Sequence, residues 1–374
     1  MLIMLDKIDS THLALPHVVE ALGEVARAHR LGDHLVYAEL DLLEKAKDLP
    51  SLSESARASF LFMRNRFSTT GPYLSRFNVR LSIVPDDNIL EVNTLAVNGR
   101  SIEEISISAR LVANSNILRR TVLLGENHSD TEFYRIVAST YKASEGISGI
   151  SIQFDPNGGG GGSTVDEYKH IQDSISRTCL CILDSDRHYP TDSIGGTAQN
   201  VLNEDNPNIP TSKVIVTDTL EMENLIPTII VERLMGLGSA TCRPLQAHKN
   251  IAASAHGSAM QYVDYKKGLK LFELTTGSPS SDHLSYWKPV AEHVLGTPVT
   301  HTMCPTGVTC TKKSCRCILI PGYGDSIMDK VMSLMDSEKN TPMTHWVDAA
   351  MQSEWRRIGA VILDWCCGSS LRAI

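Results

Sequence analysis

The stretch RRTVLLGENHSD (residues 119–130) decides how the chain is read. Two arginines precede a short apolar run that ends at a glycine, the pattern of a strand buried on both faces of a parallel sheet. Ser129 and Glu132 stand three apart and fit a capping box, so a helix is expected to start there, with Phe133, Ile136, Val137 and Thr140 on one face. Moving toward the C-terminus, Ile150, Ile152 and Phe154 alternate as in a second strand, which Asp155-Pro156-Asn157 and the five glycines Gly158 to Gly162 are expected to end. Ser163 to Asp166 can cap a second helix carrying Val165, Tyr168, Ile171 and Ile175. TCLCIL (178–183) and KVIVT (213–217) supply a third and a fourth strand. Alternating strands and helices specify an α/β unit with a parallel sheet flanked by helices.

Toward the N-terminus the pattern is different. Val18, Leu22, Val25 and Ala26 have helical spacing, and Val79, Leu81 and Ile83 alternate like a strand. Residues 1–117 are expected to form a mainly helical packing or partner domain, residues 118–275 the α/β domain, and residues 276–374 a mixed, cysteine-containing region.

Composition narrows the function. The chain has 374 residues, is 42% hydrophobic and 21% charged, which excludes a disordered or collagen-like chain. Its formal charge of -8 argues against a protein that coats nucleic acid by bulk positive charge, though not against an enzyme that acts on it. No apolar run is long enough for a membrane helix, and the N-terminus meets Asp6 and Lys7 without a signal-peptide pattern, so no membrane and a cytoplasmic location are expected. The nine cysteines then read as thiols or metal ligands rather than disulfides.

Ligands of parallel α/β sheets bind beyond the carboxyl ends of the strands, so the residues just after each strand carry the chemistry. Those residues are acidic. Glu126 and Asp130 follow the first strand, Asp184 and Asp186 the third, and Asp218, Glu221 and Glu223 the fourth. Carboxylates gathered on one edge repel unless a cation lies among them, and Mg²⁺ takes oxygen ligands. A pair of such ions can activate water and hold the leaving oxygen of a phosphodiester. The plainer reading of Asp130 is a helix N-cap.

The segment Gly125-Glu126-Asn127-His128-Ser129-Asp130, followed by Asp184-Ser185-Asp186 and then Glu221, Glu223 and Asn224, resembles the Toprim domain of topoisomerases, bacterial primases and overcoming-lysogenization-defect (OLD) nucleases. The Glu-x-x-x-Asp form is similar to the OLD-type nucleases and to stand-alone Toprim effectors of anti-phage defence. The resemblance covers about residues 118–270. It implies a Mg²⁺- or Mn²⁺-dependent nuclease, with two ions, acting on DNA or RNA. In it Glu126 is a metal ligand doubling as acid or base, Asp184 and Asp186 are ligands, and Asp130 is a ligand or a partner of one. Glu221 and Glu223 compete for the later acidic role, and Lys266 and Lys267 for a lysine that steadies charge on the phosphate.

Departures from the family pattern are Asn127 and His128 after the glutamate and a long loop over residues 187–212. No Walker A motif occurs, so a separate ATPase partner is implied. Two rival readings stay open, a non-catalytic cation-binding regulatory subunit and a Toprim nucleotidyltransferase, and so does assembly into a homo-oligomer. The glycine run reads as a turn or as a phosphate cradle. Cys304, Cys310, Cys315 and Cys317, with His301 upstream, read either as a structural Zn²⁺ site or as ordinary thiols.

Overall fold

The computed structural model describes residues 1–275, 280–300, 303–304, 316–337 and 345–369. The chain divides into two compact units built from discontinuous stretches. One comprises Met1–Leu183, Asn200–Ile215 and Arg356–Ile374; the other comprises Asp184–Gln199 and Val216–Trp355. Linear segments divided near residues 117 and 275 do not coincide with these units. The strands described are β1 (Leu2–Met4), β2 (Leu35–Tyr37), β3 (Val79–Val84), β4 (Leu90–Val97), β5 (Arg100–Ser108), β6 (Val122–Gly125), β7 (Ile150–Ile152), β8 (Asp155–Gly158), β9 (Cys179–Leu183), β10 (Ser212–Val216), β11 (Gly268–Lys270), β12 (Ile318–Pro321) and β13 (Cys367–Ser369). Among the described residues no helix is long and apolar enough to cross a membrane.

In the first unit, residues 1–117 hold more helix than strand, yet their centre is a five-stranded mixed sheet of order β2-β1-β3-β5-β4. β1 pairs in parallel with β2 and β3, β3 in parallel with β5, and β4 closes the edge antiparallel to β5. Asn98 and Gly99, both at positive φ (51° and 78°), make the tight β4–β5 turn. Such a turn suits the right-handed twist of the strands it joins. The helix Pro16–Leu31 starts on a proline, which needs no N–H there, and stops at Gly32 in the left-handed region. Val18, Leu22, Val25 and Ala26 are all buried, as their spacing predicts.

The same unit contains the expected parallel sheet, of order β10-β9-β6-β8, with helices His128–Ser144 and Thr164–Ser174 in its crossovers. β6 pairs in parallel with β8 and with β9. One strand differs from the sequence reading. Ile150 and Ile152 do not enter this sheet; β7 pairs antiparallel with β13 near the C-terminus. The strand beside β6 is β8, made of Asp155, Pro156, Asn157 and Gly158, the residues expected to end a strand. Its position explains why: β8 lies at the sheet edge, where proline's missing N–H costs no ladder bond.

The segment expected as a 187–212 loop contains the helix Gly196–Glu204. In the second unit β11 and β12 form an antiparallel pair, among the helices Thr228–Met235, Arg243–Ala252, Ser281–Leu295 and Ile327–Ser337.

Candidate functional site

Beyond β6 the chain turns sharply into a helix. That helix starts at His128, earlier than Ser129 and Glu132 predict, because the capping pair is Asn127 with Asp130. Asp130 is buried; its Oδ2 accepts the Asn127 N–H at 2.8 Å and its Oδ1 the Ser129 hydroxyl at 3.3 Å. Glu132 instead pairs with Arg135 at 3.1 Å.

The glycine run packs directly against this turn. Gly159 N–H donates to the Gly125 carbonyl (3.0 Å) and Gly160 N–H to the Glu126 carbonyl (2.9 Å). A Cβ on Gly158 would come within 2.5 Å of the His128 nitrogen. The glycines therefore let β8 lie against the loop that carries Glu126. Glu126 is half-buried and is the first residue past β6, as Asp184 is past β9, its parallel neighbour.

The other predicted acidic residues, with both lysines, belong to the second unit. Ser185 anchors the Asp184-Ser185-Asp186 turn: it is fully buried, its hydroxyl donates to the Thr219 carbonyl at 2.6 Å, and its backbone N–H reaches Thr217 Oγ1 at 3.3 Å. Asp186 takes a left-handed conformation, φ 53°, and its N–H donates to the Leu220 carbonyl at 2.9 Å. Aspartate tolerates this region better than most residues. Gly195 lies so close that a Cβ there would sit 2.0 Å from Asp186 Oδ2 and 2.5 Å from its Cβ. Burial raises the Asp186 carboxyl above the usual range, against the pull of His188 and Lys266.

Lys266 is the centre of this acidic group. Its Nζ is 3.0 Å from Glu223 Oε1 and 3.2 Å from Glu221 Oε2. Burial pulls the ammonium down, but Glu223 and Glu221 together outweigh it and hold its pKa above that of an ordinary lysine. Burial also raises Glu221, which Lys266 lowers and Glu223 raises again.

The backbone fixes this lysine from several sides. Asp264 Oδ1 accepts the N–H groups of Lys266 (2.9 Å) and Lys267 (2.6 Å), and the Lys266 carbonyl accepts the Gly324 N–H at 2.9 Å. Gly322 is needed here, since its Cβ would fall 2.5 Å from the Lys266 carbonyl oxygen. Lys267 is exposed. Between the two lysines, the geometry places Lys266 with the carboxylates. It brings in both Glu221 and Glu223 and does not choose one.

Glu221 and Glu223 are held by a short 3₁₀ turn, Met222–Leu225. Asn224 pins it: its Oδ1 accepts the Glu221 N–H at 3.0 Å, and its Nδ2 donates to the carbonyls of Met260 (2.9 Å) and Val263 (2.8 Å). Asp218 donates its N–H to the buried Glu354 at 2.8 Å, a carboxylate that no sequence motif marked.

The donor chemistry suits a hard divalent cation. Asp184, Asp186, Glu221 and Glu223 offer only carboxylate oxygens, the atoms Mg²⁺ and Mn²⁺ take. Glu221 Oε2 is buried and accepts no well-aligned hydrogen bond, so its contact with Lys266 is ionic. Among the described residues no three His, Cys, Asp or Glu side chains are gathered closely enough to hold a metal ion. Of the cysteine cluster, Cys304 is buried and Cys317 half-buried, while His301, Cys310 and Cys315 lie outside the described residues. Cys179 and Cys181 are core residues of β9.

No family model, curated protein or solved structure matches the chain. The fold itself defines an α/β protein with a parallel sheet flanked by helices.

Proposed function

We propose that the chain is a Mg²⁺- or Mn²⁺-dependent nuclease that hydrolyses phosphodiester bonds of DNA or RNA. The observation that carries the reading is Lys266, held between Glu221 and Glu223 with its charge also acting on Asp186. A lysine held by backbone contacts can meet a phosphate's developing negative charge, and carboxylates beside it can hold the cation that neutralises the rest. Asp184, Asp186, Glu221 and Glu223 are the carboxylates from which the cation would draw its ligands, and they would have to close around it, since no three of them stand ready as a metal site. When bound, a divalent ion supplies charge neutralisation and water of lowered pKa. The protein's own part is positional. The Asp264 turn and Gly322 hold Lys266, Gly195 holds Asp186, and Asn224 holds the two glutamates. Lys266 then presents its ammonium to a non-bridging phosphate oxygen.

By the same resemblance the setting is prokaryotic defence against phage, with a separately encoded ATPase as trigger. The same ion pairs also fit a second reading, a non-catalytic regulatory subunit, because Lys266 already neutralises two carboxylates. Incubating purified protein with plasmid, single-stranded DNA or tRNA and Mn²⁺ separates them. Cleavage that disappears in Asp186→Ala and Glu223→Ala supports the nuclease. Cleavage surviving both substitutions, or none in the wild-type chain with its partner present, supports the second.

A further inference from the structure

Next to Asp186, the second unit carries a group of aromatic rings and an arginine that the reading above does not use. His188 is exposed, and Tyr189 and His283 are half-buried. The His188 and His283 rings lie edge to face with centroids 6.4 Å apart, and Tyr189 meets His283 edge to face at 5.9 Å. Each end of this surface cluster is tied down. Trp287, itself buried, donates its indole N–H to the His188 carbonyl at 2.7 Å, and the Tyr189 hydroxyl bonds Ser280 Oγ at 2.9 Å. Arg187, one residue past Asp186, has a buried Nε with no hydrogen-bond partner among the described residues. Arg187 as a whole is only half-buried, so the accessible part of its guanidinium can meet an anion.

We infer that this cluster is a single-strand nucleic-acid platform, with bases stacking on Tyr189 and His283 and a backbone phosphate meeting Arg187. The inference rests on the nuclease reading and narrows its substrate to unpaired strands. Stacking decides between duplex and single strand. At a net -8 the chain has no bulk positive field to hold a duplex by its phosphates. Stacking is indifferent to that field, and it requires bases whose faces are free, which only an unpaired strand presents. The Tyr189 ring, tethered to Ser280 through its hydroxyl, and the His188 backbone, held by Trp287, lose little conformational freedom when a base docks.

The test measures binding in EDTA, so that it is independent of cleavage. Anisotropy of a labelled oligothymidylate, an oligouridylate and a DNA duplex is compared for the wild-type chain, Tyr189→Ala, His283→Ala, Arg187→Ala and Tyr189→Phe. Both single strands are expected to bind at least about tenfold more tightly than the duplex, and each alanine variant to lose about tenfold on single strands alone. Tyr189→Phe keeps the ring but loses the Ser280 bond, and is expected to lose clearly less affinity than Tyr189→Ala. Equal affinity for duplex and single strands overturns the inference. So does unchanged binding in the alanine variants, or loss in Tyr189→Phe equal to that in Tyr189→Ala, which would make the hydroxyl tether the cause. Single-strand preference in EDTA, with no cleavage in the separate Mn²⁺ assay with the partner present, would sink the nuclease reading, whereas cleavage in that assay without the preference would sink only the platform.

Discussion

Lys266 Nζ stands 3.0 Å from Glu223 Oε1, and the glutamate is the more buried partner, its side chain 7% exposed against 28% for the lysine. The pair is thus unequal: Glu223 depends on the ammonium for its charge balance more than the ammonium depends on it. Lys266→Met should leave a buried carboxylate without compensation. Removing one partner of a fully buried pair costs about 3–5 kcal/mol, and partial solvent access to Lys266 reduces this to roughly 1–3 kcal/mol. Denaturant titration at neutral pH measures it. The double variant Lys266→Met/Glu223→Gln should regain part of the loss; a double variant no more stable than the single would show that packing, not charge, holds Lys266.

Gly195 controls Asp186 by contact. A methyl there would overlap the Asp186 Cβ and carboxylate, at 2.5 Å and 2.0 Å, so the whole side chain must move rather than only its tip. Gly195→Ala should cost about 1–3 kcal/mol as overpacking. On the nuclease reading Mn²⁺ should raise the melting temperature, and both Gly195→Ala and Asp186→Asn should weaken that rise. A variant with wild-type Mn²⁺ stabilisation would place Asp186 outside the cation site.

Gly158 plays the matching part in the first unit. Its Cβ would lie 2.5 Å from the backbone nitrogen of His128, and backbone yields less readily than a side chain. Gly158→Ala should therefore push β8 from the start of the helix His128–Ser144, at a cost of about 1–3 kcal/mol. Hydrogen exchange at the Gly159 and Gly160 amides, which donate to Gly125 and Glu126, reports the displacement directly. Exchange as slow as in the wild type would mean that the contact relaxes elsewhere.

These glycines also show where sequence reading ends. β6 and β9 are legible because strands buried on both faces must be short apolar runs, and β10 because Val214, Ile215 and Val216 form an apolar run between polar loops. β8 is not legible: Asp155-Pro156-Asn157-Gly158 has turn chemistry, and only its place at the sheet edge makes it a strand. The Asn98-Gly99 turn and the antiparallel β4–β5 edge it makes emerge only in the structure. The acidic residues can be listed from their positions after strands. The distinction between Lys266 and Lys267 cannot, because it is made by Asp264 and by Gly322, more than fifty residues away. Asp130 lies between these cases. The motif that marks it as acidic is the same one that caps a helix, and its carboxylate accepts the Asn127 N–H.

Asp364 gives the first unit a measurable pH dependence. Its carboxyl is buried, accepts the Asn78 backbone N–H at 2.9 Å and the Asn78 side-chain amide at 3.1 Å, and is pushed up to about 7 by burial, against those bonds and the charge of Arg100. The folded pKa therefore lies above that of an unfolded aspartate, about 3.9. The folded state binds the proton more tightly than the unfolded chain. The stabilisation is fully present below about pH 4 and is lost as pH rises toward 7, where the buried group must ionise. About three units correspond to roughly 4 kcal/mol, an upper figure because the denatured chain is not fully solvated. Asp364→Asn cannot ionise. Although it sacrifices one of the Asn78 bonds, its stability should vary less between pH 4 and 8 than that of the wild type. The comparison is made by urea titration at several pH values. If the wild type and Asp364→Asn keep a constant difference across that range, Asp364 is ionised in the fold throughout, and its burial is compensated by Asn78 and Arg100 alone.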